Sequence, residues 1–247
     1  MDRLVCGDVG YGKTEVTMRA AFVAALSGVQ VAIIAPTTLL ARQHHENFCR
    51  RFAEVGLRVE QLSRFVTSKE AKTIKEGMED GSVKLVIGTH ALLAKDVKFA
   101  NLGLLIIDEE QRFGVKQKEK MKELKASVHI LTLTATPIPR TLQMALAGVR
   151  DMSIIATPPV DRLAIRTFVM PFDPLVIRDA VLREHYRGGQ SFYVCPRIKD
   201  MEELEQQLKD LVPEVKVISA HGQMTPTELE ERMTAFYEGQ YGVLLAT

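Results

Sequence analysis

Cysteine is scarce in this sequence: Cys6, Cys49 and Cys195 are few, odd in number and scattered among 247 residues. That spacing excludes a disulfide framework and offers no zinc-ligand pattern, so the thiols read as reduced, in a cytosolic setting. Long apolar runs are missing too, and none approaches the ~18 residues of a membrane span. The opening "MDRLVCGDVG" has neither the apolar core nor the cleavage site of a signal peptide. A cytoplasmic location is the expectation. Charge of one sign is also absent, with 32 Lys+Arg against 31 Asp+Glu and a net charge of +1. Composition therefore argues neither for nor against a polyanionic partner. What is present is a chain 46% hydrophobic and 26% charged, the balance of a soluble globular protein. Its length suits one large domain or two ordinary ones.

Short apolar runs alternate with longer amphipathic ones, which predicts an α/β fold of parallel sheets with crossover helices. Strands are expected at 4–6, 31–35, 84–87, 104–107 and 130–133, with helices at 13–26, 39–52 and 68–78 between them. The stretch "IIATPPVDRLAIRT" places two prolines between strand-like segments and reads as a linker. A second series follows: a strand at 165–169, a helix at 175–186, "QSFYVC", a helix at 201–211, "VKVISA", a helix at 226–237 and "GVLLA". The expected organisation is a first unit at 1–155, a linker at 156–164 and a shorter second unit at 165–247.

The segment "GDVGYGKT", Gly7, Asp8, Val9, Gly10, Tyr11, Gly12, Lys13 and Thr14, matches G-x-x-x-x-G-K-[ST] in full. It follows a predicted strand and opens a predicted helix, the context that separates a phosphate loop from a chance glycine turn. Glycines allow positive φ and close backbone approach, so several N–H groups can point at phosphate oxygens. The helix start adds its positive end. Lys13 is placed to reach the β/γ-phosphates, and the Thr14 hydroxyl to bind Mg²⁺. Downstream, "LGLLIIDEEQ" is an apolar strand closing in acids. Asp108 is placed to hold Mg²⁺ through water, and Glu109 to orient or deprotonate the attacking water. A solvated turn would also end in acids, but ligands at the carboxyl ends of parallel strands fit the crevice rule of open α/β sheets. The reading is an ATP site with Mg²⁺.

"APTTLLARQH", "GTHALL", "DEEQ" and "TATPIPRT" then come in the order and spacing of superfamily 2 helicase motifs Ia, Ib, II and III, and the chain resembles that superfamily over nearly its whole length. The resemblance implies two RecA-like units. It makes Thr37, Arg42, Gln43, Thr89 and His90 candidate contacts to a DNA backbone, and Gln111, Thr134 and Thr136 candidate couplers of ATP state to domain movement. Gln111 stands where many relatives have His; both side chains can hydrogen-bond across to the TAT segment. Hydroxyls, amides and arginines at strand ends suit phosphate contacts, although each alone is as readily a helix cap or turn residue. "RFGVKQKEKMKELK" follows the acids. Its lysines read as a solvated face with i,i+4 partners Glu119 and Glu123. Arg112 and Phe113 are the candidates for relaying DNA contact to the ATP site.

More narrowly, "MDRLVCGDVGYGKTEV", "DEEQRFGVKQKEKMKELKASVHILTLTATPIPRTLQMAL" and "RDMSIIATPPVDRLAIRTFV" resemble the translocase of the bacterial transcription-repair coupling factor family. That resemblance implies an ATP-hydrolysing motor on double-stranded DNA that displaces stalled RNA polymerase and recruits excision-repair proteins. Branched-DNA helicases of fork reversal share "TATPIPRT" and "RFGV" but typically differ in the segment after them. Two other classes stay open at this point: a small-molecule P-loop kinase, and a nucleotide- or DNA-docking module without turnover. The family's arginine-finger motif does not occur here, and "YGVLLAT" resembles the opening of its motif V. The expectation is thus a segment of a longer protein, carrying the first motor unit and part of the second, that does not translocate alone.

Overall fold

Valine, isoleucine and leucine dominate the central strand segments, "QVAII", "LVIG" and "LGLLIID", as a parallel sheet buried on both faces requires. The computed structural model describes residues 1–63, 66–114, 128–135, 151–160 and 165–247, apart from the side chain of Arg112. The chain divides into two compact units, Met1–Ala164 and Ile165–Thr247.

In the first unit seven strands form one sheet: β1 (Asp2–Gly7), β2 (Gln30–Ile34), β3 (Val59–Leu62), β4 (Leu85–Gly88), β5 (Leu102–Asp108), β6 (His129–Thr134) and β7 (Asp151–Ile155). Their spatial order is β3-β4-β2-β5-β6-β1-β7, and every pairing is parallel. Helices α1 (Lys13–Leu26), α2 (Thr38–Phe52) and α3 (Ser68–Glu79) cross between the strands. Alternation along each strand sorts the core into two layers. Val31, Ile33, Leu85, Ile87 and Ile106 face one way, against Ala21 of α1 and Ala41, Phe48 and Phe52 of α2. Ala32, Ile34, Val86, Leu105 and Ile107 face the other, with Ile74 and Met78 of α3. Phe48 is fully buried and meets Phe52 edge-on, ring centroids 5.5 Å apart. Truncating such a ring to alanine costs about 3–5 kcal/mol.

The second unit has a three-stranded parallel sheet, β8 (Ser191–Val194), β10 (Val243–Ala246) and β9 (Val217–Ala220) in that order, with helices α4 (Pro174–Tyr186), α5 (Met201–Leu211) and α6 (Pro226–Tyr237). The buried strand read from "YGVLLAT" lies at its centre, with Val243, Leu244 and Leu245 almost wholly enclosed. Among the described residues, no helix is long and apolar enough to cross a membrane.

Three segments differ from the sequence reading. The strand β3, "VEQL", was not expected, because polar Glu60 and Gln61 interrupt its apolar pattern; it pairs as an edge strand on β4. The strand β7, "DMSII", includes the start of the expected linker segment and pairs with β1 from Arg3 to Gly7. The expected strand at 165–169 does not form. It has no sheet partner, and Ile165, Phe168 and Val169 are exposed at 84%, 78% and 99%. Apolar content there does not report burial.

Candidate nucleotide site and nucleic-acid groove

The phosphate loop emerges where β1 ends and α1 begins. Gly10 and Gly12 sit at φ 79° and 85°, and a Cβ at either would meet no atom within 4 Å. Backbone conformation, not crowding, therefore demands glycine there. Tyr11 N donates to Asp8 O (3.1 Å) and Val9 N to Asp8 Oδ1 (2.8 Å), closing the loop into a tight arch. Gly12 is the N-cap of α1 and provides no side-chain cap, so the helix start presents its N–H groups to the loop. The Lys13 ammonium folds back over the arch and donates to Gly7 O at 2.7 Å and Asp8 O at 3.2 Å. The amine is held over the loop by weak neutral acceptors, where an anionic oxygen would compete strongly.

The acids lie level with this loop. Asp108 is opposite Leu133 on β6, and Cys6 of β1 is opposite Thr134. Two strand spacings thus separate the ends of β5 and β1, about 10 Å. Asp108 is nearly buried, and its Oδ2 accepts from Nε2 of His44 at 2.9 Å. Glu109 has φ 51° and ψ 55°, and is the one non-glycine residue with positive φ among those described. Glu109 N donates to Leu133 O (2.9 Å), and Ala135 N donates to Glu109 Oε1 (3.1 Å). Gln111 Nε2 donates to Glu109 Oε2, and Thr134 Oγ1 to Gln111 Oε1 at 3.4 Å. Glu109, Gln111 and the end of β6 are therefore one hydrogen-bonded unit. Thr136 lies outside the described residues, as do the lysines of 115–127 and most of "TATPIPRT".

The donor set suits Mg·nucleotide. Backbone N–H groups, an ammonium and a helix start favour phosphates. Among the described residues no cluster of three or more His, Cys, Asp or Glu side chains gathers to hold a metal. A Thr14 hydroxyl and an Asp108 carboxylate are few ligands, which fits Mg²⁺, an ion that keeps waters and phosphate oxygens in its shell.

The other half of the same sheet edge forms a groove of about 590 Å³ lined by Thr37, Ser63, Lys75, Thr89 and His90. It arises because β3, β4 and β2 end together: Leu62 is opposite Gly88, and Gly88 opposite Ile34. A Cβ on Gly88 would collide with the carbonyl of Leu62, so this close convergence needs glycine. Thr37 caps α2, accepting from Leu40 N at 3.2 Å, and Thr89 caps the short turn His90–Leu93, accepting from Ala91 N at 3.5 Å. His90 is exposed. Arg42 pairs with Glu46 at 2.9 Å, and neither Arg42 nor Gln43 lines the groove; both are half-buried on α2. Lys75 lies 2.6 Å from Asp96, whose carboxyl it holds below the usual range.

The structure thus brings Thr37, Thr89 and His90 together, and separately unites Glu109, Gln111 and Thr134, with Asp108 adjacent in sequence at the end of β5 and bonded to His44. Phe113 is buried in the same core layer as Leu92 and Leu93, beside the turn that carries His90. Sequence reasoning missed Ser63 and Lys75 in the groove, and His44 on Asp108. The signal for His44 was its period: Ala41, His44, Phe48 and Phe52 form the buried stripe of α2.

A family profile described as DEAD/DEAH box helicase matches residues 1–145, and one described as helicase conserved C-terminal domain matches 175–247. Curated relatives named transcription-repair-coupling factor align along the whole chain. Identity is 58% in Rickettsia prowazekii (strain Madrid E), 59% in Haemophilus influenzae and 54% in Escherichia coli (strain K12). In each, this chain spans 22% of the relative's length. RecG bound to a three-way DNA junction superposes with a TM-score of 0.79 at 37% identity, over 100% of this chain and 33% of that one. Dbp5 of S. cerevisiae bound to RNA and ADP BeF3 superposes at 0.68 with 18% identity, over 100% and 66%, a likeness of fold alone.

Proposed function

Because the chain belongs to the DEAD/DEAH box helicase family, we propose that it is the ATP-hydrolysing motor segment of a double-stranded-DNA translocase that couples transcription to repair. One observation carries the reading. A phosphate loop and an acid pair close one half of a strand-end edge, and a groove of capping threonines, a histidine and a lysine occupies the other half.

In this reading the N–H groups of Gly7 to Thr14 and the start of α1 bind the phosphates, and Lys13 transfers its ammonium from the Gly7 and Asp8 carbonyls to phosphate oxygens. Thr14 and Asp108 would hold Mg²⁺, which when bound would supply positive charge against the phosphates. Glu109 orients the attacking water and accepts its proton. Gln111, Thr134 and Thr136 pass the state of that site to the neighbouring strand, and Arg112 and Phe113 relay DNA contact. Thr37, Arg42, Gln43, Thr89 and His90 touch backbone phosphates and carry no sequence readout. The relatives' name, which joins transcription to repair, supports assigning stalled RNA polymerase and excision-repair proteins as partners of the complete protein; a cytoplasmic location belongs to the same proposal. The RecG likeness supports a second reading, a branched-DNA helicase. The 54–59% identity of the coupling-factor relatives against 37% for RecG favours the first.

The test is ATP turnover of the complete protein with linear duplex, with three-way junctions and without DNA. Strong stimulation by linear duplex, together with ATP-dependent release of a stalled polymerase, supports the coupling reading. Stimulation confined to junctions favours the second. Turnover indifferent to any DNA overturns both.

A further inference from the structure

We infer that His44 is a positioning residue of the nucleotide site, setting how the Asp108 carboxylate meets Mg²⁺ and making that setting depend on α2. The inference rests on the Mg·ATP reading above and assigns a role to a side chain outside the phosphate loop and the acid pair.

His44 is the one polar member of the buried stripe of α2, otherwise Ala41, Phe48 and Phe52, and only 7% of it is exposed. Its Nε2 lies 2.9 Å from Oδ2 of Asp108, across 64 residues of sequence. A carboxylate only accepts, so Nε2 carries the hydrogen. Nδ1, on the far side of the ring, has no hydrogen-bond partner although it is buried. A leucine would fill the stripe without burying an unpaired nitrogen. What histidine adds at this position is therefore a single N–H aimed at Asp108.

That hydrogen bond occupies Oδ2 and fixes the rotation of a carboxyl group whose side chain is 12% exposed. Oδ1, which His44 does not touch, is the oxygen that would be left to a bound Mg²⁺ or one of its waters. Partners of this kind, one bond removed from a metal, orient the ligand and raise its effective affinity. The same helix is capped by Thr37, in the groove, and carries Arg42 and Gln43 immediately before His44. A shift of α2 on contact with a phosphate backbone moves the donor on Asp108 directly, with no intervening residue.

The experiment measures binding of a fluorescent ATP analogue to the complete protein as Mg²⁺ is titrated, with and without linear duplex. His44→Leu keeps the bulk and removes the donor, whereas His44→Gln keeps an amide N–H at similar reach. His44→Leu is expected to need roughly 10-fold more Mg²⁺ for half-maximal binding. Its Mg²⁺-free nucleotide affinity and melting temperature should stay close to those of the parent, and duplex should no longer change its Mg²⁺ requirement. His44→Gln should restore the parent's Mg²⁺ dependence. If the leucine variant does not fold, His44→Asn, whose shorter amide cannot reach Oδ2, takes its place with the same expectation. Equal Mg²⁺ curves for the parent and the donor-less variant, or equal shifts in the donor-less and glutamine variants, overturn the inference while leaving the ATP site intact. A parent that binds no Mg·nucleotide overturns both.

Discussion

Glu109 is the residue where backbone and chemistry conflict. A left-handed conformation costs a non-glycine residue about 1–2 kcal/mol, and glycine is the usual solution. Here the conformation is held by Leu133 O and Ala135 N, and it aims a carboxylate rather than a hydrogen atom at the strand end. Glu109→Gln keeps an acceptor for Ala135 N but abolishes the base. Single-turnover ATP hydrolysis should fall by about 10²-fold or more, with nucleotide affinity unchanged. Unchanged hydrolysis would remove Glu109 from the mechanism. The placing of Lys13 and Thr14 at the start of α1, and of Asp108 and Glu109 where β5 ends, was legible in the sequence, because glycine spacing and an acid-ended apolar strand are local patterns. His44 was not. Its period sets it on the buried stripe, apart from the neighbouring His45, which contacts the carbonyl of Val59, but its role depends on a partner 64 residues away that no local pattern names.

Among the elements, α2 and α3 begin with threonine caps that carry different information. Thr37 is both the cap of α2 and a candidate phosphate contact. Thr37→Asp separates the two roles, since aspartate caps as well as threonine and also favours the positive helix end. The melting temperature should hold while duplex affinity drops, measured by fluorescence anisotropy. An equal affinity would assign Thr37 to capping alone. In α3, Thr67 and Glu70 form a reciprocal capping box, and the Thr67 hydroxyl and backbone N–H hold the Glu70 carboxyl below its ordinary value. A depressed folded-state pKa means stability that is full above the unfolded value and is lost as pH falls through the folded one. The melting-temperature difference between the parent and Glu70→Gln should therefore be constant near neutrality and change only below the ordinary glutamate range, with the parent losing ground. Helices α1 to α3 were readable to within a residue or two, because their apolar period is long. The edge strands β3 and β7 were not, since four or five residues with polar interruptions carry too little pattern. The segment 165–169 failed in the opposite sense: its apolar Ile165, Phe168 and Val169 suggested a strand, but no strand among the described residues pairs with it.

At the scale of the whole molecule, the sheet order explains why motifs distant in sequence meet. Elements ending β1, β5 and β6 share one half of an edge, and those ending β2, β3 and β4 share the other. The order of motifs along the chain announced the set, whereas the division into two half-edges needed the topology. Coupling between the halves is where Arg112 is assigned. Arg112→Ala should reduce DNA-stimulated ATP turnover several-fold more than basal turnover in the complete protein, and equal losses would end the sensor idea. The position of β1 has one more consequence. It is the first strand in the chain, yet its partners are β6 and β7, with Asp2 facing Ile130 and Arg3 facing Asp151. During synthesis, β1 must wait while 128 residues (130 − 2) follow it, on the order of ten seconds at typical ribosome speeds. Until then the sequence "LVC" lacks both of the strands it pairs with in this sheet. The phosphate loop hangs from that unpaired strand, so a nascent chain gains its nucleotide site late, after most of the first unit has left the ribosome.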